Sequence, residues 1–165
     1  MPTPQVASCA FSDEHNHQRC IRTALATAER LCADRRCRLT PVRKRVLELV
    51  WQSHTPLGAY QILAQLGDEG FNSAPPTVYR ALEFLQEQGL VHRIASLNAF
   101  TGCCAPDRQH HGYFLICRQC GRAHELEGQP LSQALREQAA RQGFMVEAET
   151  VELTGLCPHC REPLA

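Results

Sequence analysis

The chain has 165 residues, 17 basic and 17 acidic side chains and ten cysteines. That length suits one large domain or two small ones. Met1 to Arg19 is polar and lacks the apolar core of a signal peptide, and no apolar run approaches the ~18–20 residues of a membrane span. These features argue against an extracellular disulfide scaffold and against a helical membrane span. The expectation is a cytoplasmic protein whose cysteines mostly serve metal.

Charge is uneven although the total is zero. Arg35, Arg36, Arg38, Arg43, Lys44 and Arg45 lie within eleven residues that contain no Asp or Glu. Such a run is either a solvated basic face or a surface for phosphate.

In chain order, residues 1–18 read as a flexible tail. Ile21, Leu25, Ala28, Leu31 and Cys32 then fall on one helical face between Arg19 and Cys37. Thr40-Pro41 is a helix start, a capping hydroxyl followed by proline at the first helical position. That helix turns Val42, Val46, Leu49 and Val50 inward. A short helix over Ala59–Leu66 is expected to bury Tyr60, Leu63 and Leu66 or their neighbours. Pro75-Pro76 opens another helix over Thr77–Gln88, closed by Gly89. Leu90–Ile94 and Ala99–Thr101 form a hairpin around Asn98.

Short helices followed by a hairpin outline a winged helix-turn-helix over residues 19–101. The helix after the turn places its N-terminal residues, Thr77, Tyr79 and Arg80, against DNA bases and phosphates. Arg43 and its basic neighbours suit the phosphate backbone.

Residues 102–112 are expected to form a hinge, with Cys103, Cys104, His110 and His111. The unit over 113–165 comprises strands at Tyr113–Ile116 and Ala123–Leu126, an amphipathic helix over Pro130–Arg141, and a long strand over Phe144–Leu153. Three strands and one helix bury their faces poorly, so a homodimer through this region is expected. The whole is α+β.

Two Cys-x-x-Cys pairs bracket this second unit, Cys117/Cys120 and Cys157/Cys160. Two knuckles supply four thiolates in a tetrahedron, the closed structural zinc site. Gly121, after the first pair, suits a tight turn, and Gly155 precedes the second. Paired disulfides and a thioredoxin-type redox motif are the alternatives. A redox motif is normally single and precedes a helix in a βαβ unit, and neither condition holds.

Leu39-Thr40-Pro41-x-Arg43, Pro75-Pro76-Thr77-Val78-Tyr79-Arg80-Ala81-Leu82, Gln88-Gly89-Leu90-Val91-His92 and the two knuckles occur in an order that resembles the ferric uptake regulator family, specifically its zinc uptake regulator branch. The resemblance runs from about Ala24 to Cys160. It implies a dimeric, metal-dependent repressor on AT-rich inverted repeats upstream of metal-uptake genes, with Tyr79 and Arg80 on the recognition helix.

A sensor needs a second site that can lose its metal. Candidate ligands are His92, Cys103, His110 or His111, and Glu125, and His124 could add or substitute. The resemblance places a four-ligand sensory site at His92, Cys103, His110 and Glu125, with spacing leaving His111 open in place of His110. One thiolate, two imidazoles and a carboxylate suit Zn²⁺, giving two zinc ions per chain. The short His110-His111-Gly112 run lacks the His-His-Asp-His pattern of the family's iron branch.

The function expected is zinc-dependent repression of zinc-uptake genes, with no membrane and no small-molecule substrate. Iron, manganese or peroxide sensing is the alternative within the family. A thiol-disulfide oxidoreductase is the alternative from another class. No nucleophile or carboxylate constellation suggests an enzyme. Cys9, Cys20, Cys32, Cys37 and Cys104 stay outside both sites, with Cys20 and Cys32 read as small apolar helix residues.

Overall fold

The structure is a computed structural model that describes residues 17–71, 74–108, 112–126 and 129–161. The tail with Cys9 and the histidines His110 and His111 lie outside the described residues. Among the described residues, six helices and six strands run in the order α1 (His17–Asp34), α2 (Pro41–Trp51), β1 (Leu57–Gly58), α3 (Ala59–Asp68), α4 (Pro75–Glu87), β2 (Val91–Ile94), β3 (Ala99–Gly102), β4 (Tyr113–Cys117), β5 (Ala123–Leu126), α5 (Gln129–Arg141), β6 (Val151–Gly155) and α6 (Pro158–Arg161).

Local chemistry sets the helix boundaries. Thr40 caps α2 by accepting the Arg43 N–H, with Pro41 at the first helical position. The helices α1, α3, α4 and α5 all end with the residue two beyond the cap donating back across six residues. These bonds are Cys37 N–H to Cys32 O, Phe71 to Leu66, Leu90 to Leu85 and Phe144 to Ala139. The left-handed residue this motif needs is Gly70, Gly89 and Gly143 in three cases, but Arg36, at φ 55°, in α1. The apolar pair that closes the α1 end is Cys32 against Cys37, which accounts for two thiols outside the expected metal sites.

The first core gathers Ala28, Leu31, Val46, Leu47, Val50, Trp51, Ile62, Leu66, Val78, Leu82 and Leu85 among its buried side chains. Against it lies the antiparallel sheet β1-β3-β2, with Asn98 at φ 46° in the β2–β3 turn. Helices followed by this wing give the expected winged helix-turn-helix. Leu66 is buried as expected and Leu63 packs partly against the core, but Tyr60 is a correction: it is 76% exposed, and Ile62 takes the inward place. The two-residue strand β1 has too little pattern to be foreseen.

The second sheet has the order β5-β4-β6, with β4 antiparallel to β5 and parallel to β6. The long strand expected over Phe144–Leu153 is also corrected, because only Val151–Gly155 pairs. Residues 144–150 have no strand to face, and Phe144 and Met145 stand 67% and 79% exposed. Glu149 pins this segment, accepting the Tyr113 and Ser132 hydroxyls and pairing with Arg136 of α5. Leu131 and Leu135 remain exposed on α5.

Candidate metal centres and nucleic-acid interface

Parallel pairing puts the ends of β4 and β6 side by side, with Cys117 opposite Gly155. A cysteine knuckle follows each end. In the first, Gly121 at φ 74° donates its N–H to Cys117 O. Gly155, by contrast, is simply the last residue of β6. The four sulfurs of Cys117, Cys120, Cys157 and Cys160 lie within 4.8 Å of one another, and Cys120 Sγ is 3.8 Å from Cys157 Sγ. A zinc–sulfur bond of ~2.3 Å implies a tetrahedral edge of about 3.8 Å, so the donor set fits zinc.

The backbone prepares the first thiolate. N–H groups of Cys120 and Cys157 lower the Cys117 thiol to about 6, and the Cys157 N–H donates to Cys117 Sγ over 3.4 Å. Cys160 is pushed up to about 12 by the neighbouring Cys157 thiol and by burial. Burial also raises Cys120. Four thiols this close repel once ionised, and a divalent cation removes that repulsion.

A second cluster joins the two sheets. His92 comes from β2, Cys103 follows β3, and Glu125 comes from β5; their ligand atoms also lie within 4.8 Å of one another. His92 Nε2 is 2.8 Å from Glu125 Oε1, and the Cys104 N–H donates to Glu125 Oε2 over 3.1 Å. The Glu125 side chain is only 6% exposed. Cys103 is buried, its N–H is bonded to Leu90 O, and its thiol is pushed well up by burial and by the Glu125 carboxylate. A buried thiol beside a buried carboxylate becomes a good thiolate only beside a cation.

The ring of Phe114 meets that of His92 edge-on at 5.5 Å. Gly112 lets them approach: a Cβ there would sit 2.6 Å from Phe114 Cε2 and 3.3 Å from His92 Nδ1. The cluster among the described residues does not contain His124. Adjacent strand residues face opposite ways, so His124 turns from the side that Glu125 uses.

On α4, Val78, Ala81, Leu82, Phe84 and Leu85 are buried, which turns Tyr79 and Arg80 outward, Tyr79 at 48% exposure. Thr77 is half-buried in the first turn. The basic run is less free than its composition suggests. The Arg43 guanidinium lies 3.6 Å over the Phe84 ring and donates to Arg38 O. Lys44 pairs with Glu29, Arg45 with Glu48 and Glu69, and Arg35 donates to Gln88 O. These bonds fasten α1, α2, α3 and α4 together beneath the exposed face of α4.

A sequence model of the ferric uptake regulator family matches residues 34–154. The chain belongs to the ferric uptake regulator family. It is 39% identical over 139 residues to the zinc uptake regulation protein of Escherichia coli (strain K12), covering 84% of this chain and 81% of that protein. A zinc uptake regulator complexed with zinc and DNA superposes with a TM-score of 0.79 at 36% identity, over 89% of this chain and 96% of the other. The crystal structure of holo XcZur gives 0.77 at 42% identity, over 84% and 96%, whereas apo XcZur gives 0.50 at 40% identity, over 86% and 98%. The fold therefore matches the holo form of that relative better than its apo form.

Proposed function

We propose that this chain is a zinc-responsive transcriptional repressor that binds operator DNA as a homodimer and silences zinc-uptake genes in the cytoplasm. The observation that carries the reading is the meeting of His92, from the wing, with Glu125, from the second sheet, beside buried Cys103. These three residues, with His110 or His111 as the fourth ligand, form the sensory site. Cys117, Cys120, Cys157 and Cys160 form the structural site, making two zinc ions per chain. Zinc supplies the divalent charge that lets Cys103 and Glu125 share one buried site.

His92 and Glu125, bound to one ion, hold the wing against the second sheet and so fix the direction of α4. In a dimer that angle sets the separation of two α4 helices, which must match two half-sites on an AT-rich inverted repeat. Thr77, Tyr79 and Arg80 face the DNA, while Arg43 supports α4 through Phe84 and adds positive charge. By linkage, a metal that favours the DNA-competent angle binds more tightly when DNA is present. The exposed Leu131, Leu135, Phe144 and Leu153 supply the apolar surface for the second copy.

Members of this family are transcription regulators rather than enzymes. The convergence of both Cys-x-x-Cys pairs on one point favours a metal tetrad over a thiol-disulfide active site. The thiolate in the second cluster favours zinc over iron or manganese.

The test is a zinc titration under chelator buffering, reading zinc content and binding to an AT-rich inverted repeat together. One zinc per chain should persist throughout, and DNA binding should appear as the second fills. Simultaneous loading without effect on DNA would remove the sensory role. Binding that requires iron or manganese would keep the regulator and change its effector.

A further inference from the structure

The wing is held to the second sheet at a second point, on the strand across β4 from Glu125, since Glu125 and Glu152 both pair with Phe114. Glu152 of β6 reaches the turn between β2 and β3, where Oε1 accepts the Ala95 N–H over 2.7 Å and Oε2 accepts the Ser96 N–H over 3.1 Å. Two successive backbone N–H groups directed at one carboxylate form a small anion-binding concavity, and both hydrogen bonds are charge-assisted. Burial opposes the charge on Glu152, but the Ser96 hydroxyl and the two N–H groups outweigh it and hold the carboxyl below its ordinary value. Beside this contact, Ile94 of β2 is fully buried with Phe114, Ile116 and Ala123 of the second sheet.

We propose that Glu152 is a positioning residue, a metal-independent latch that fixes the rotation of the wing on the second sheet. The inference rests on the repressor reading above and deepens it. A single attachment at His92 sets a distance but leaves the hairpin free to pivot about that point. Ala95 and Ser96 lie three and four residues further on, just past the end of β2 at Ile94, so about 10 Å is an upper reach for the extended part. Attachment at two such points leaves only rotation about the line joining them, which the buried Ile94 contact opposes. The sensory cluster then decides whether the wing is held at one point or at two, and Glu152 supplies the point that stays. Loss of the sensory metal leaves the Glu152 contact as a pivot, so the molecule swings rather than falls apart.

The test compares the full-length protein with Glu152→Gln, which keeps the shape and loses the charge, and with Glu152→Ala. Both should hold the wild-type zinc content and elute as the wild-type oligomer. Amide exchange at Ala95 and Ser96 should quicken, and affinity of the zinc-loaded protein for an AT-rich inverted repeat should fall about three- to tenfold, more for Ala than for Gln. The ratio of zinc-loaded to zinc-depleted DNA binding should fall with it. Unchanged exchange at Ala95 and Ser96, or an unchanged ratio in Glu152→Ala, would overturn the latch. Loss of zinc or of the melting transition in Glu152→Gln would also overturn it, making Glu152 a folding element. If the wild type shows no zinc-dependent DNA binding, the repressor reading fails, and the exchange measurement alone still decides the latch.

Discussion

Gly102 is the position where one added carbon should do the most damage. It ends β3 opposite Val91 and lies flat beneath Trp51, the last residue of α2. A Cβ there would stand 2.2 Å from Trp51 Cε2, 2.3 Å from Nε1 and 2.6 Å from Cζ2. Ordinary contact requires ~3.5 Å, so the indole or the strand must retreat by about 1.3 Å. Trp51 is buried among Leu47, Val50 and Leu85 of the same core and has little room to yield. Overpacking of this kind costs about 1–3 kcal/mol, and a clash with the body of a ring puts Gly102→Ala near ~3 kcal/mol. For a chain this size that is a fall in melting temperature of roughly 6–12 °C.

The effect should also reach the metal. The next residue is Cys103, whose N–H is tied to Leu90 O, so a displaced strand end moves its thiol away from His92 and Glu125. Sensory zinc affinity should weaken roughly tenfold or more, as it does when the support of a ligand is disturbed. The assay is a thermal melt with a competitive zinc titration on Gly102→Ala, Trp51→Phe and the double variant. The smaller ring should recover about 1–2 kcal/mol of the loss in the double variant. A Gly102→Ala protein melting within about 1 °C of wild type would refute the packing argument.

Removing one thiol from each cluster should separate their roles. Cys117→Ser should lose the tetrad zinc and its cooperative melt, since structural zinc contributes directly to folding. Cys103→Ser should remain a folded dimer whose DNA binding ignores zinc; an unfolded product would mean the two sites are exchanged. Arg80→Ala should leave zinc content intact while operator binding, read by anisotropy, falls by about 1–3 kcal/mol, ten- to a hundredfold. Arg36 holds a left-handed conformation that glycine adopts at the ends of α3, α4 and α5. Relief of about 1–2 kcal/mol of backbone cost, less ~0.5–1 for the freer unfolded glycine, leaves roughly 0.75 kcal/mol at mid-range, so Arg36→Gly should be more stable and melt about 1.5–3 °C higher.

Where a feature is local, the sequence declares it. Thr40-Pro41 and Pro75-Pro76 open helices, Gly89 closes one, and Asn98 turns the wing, each through the conformation of one or two residues. The cysteine tetrad is equally legible, because two residues between thiols is a geometric signature. Features set by distant partners were hidden. Alternation over 144–153 suggested a strand, but β4 and β6 pair over five residues and Glu149 is drawn to Tyr113. Tyr60 has the apolar character of a core residue, yet Ile62 and Leu66 already fill that space. The ion pairs of the basic run are not legible in it, because Glu29 and Glu69 lie 15 and 24 residues from their partners Lys44 and Arg45. Likewise nothing near Glu152 foretells that its carboxylate meets the wing turn.

The contacts between the two sheets explain why a metal can govern them. Their shared apolar cluster is small: Ile94 from the wing, and Phe114, Ile116 and Ala123 from the second sheet. Apolar contact is nearly indifferent to direction, and this one is too slight to hold a single angle. Directional contacts must therefore decide the orientation. Among the described residues these include His92 and the Cys104 N–H with Glu125, Glu152 with the Ala95 and Ser96 N–H groups, the Ala123 N–H with His54 O, and Arg30 of α1 with Asp107 beyond Cys103. Arg30–Asp107 is exposed and contributes little. Ala123–His54 is an ordinary backbone hydrogen bond. The contacts on Glu125, from His92 and from the Cys104 N–H, lie beside Cys103, whose buried thiol needs a compensating cation to ionise. A larger apolar interface would hold the angle by itself, so an interface this thin leaves the angle to the directional contacts.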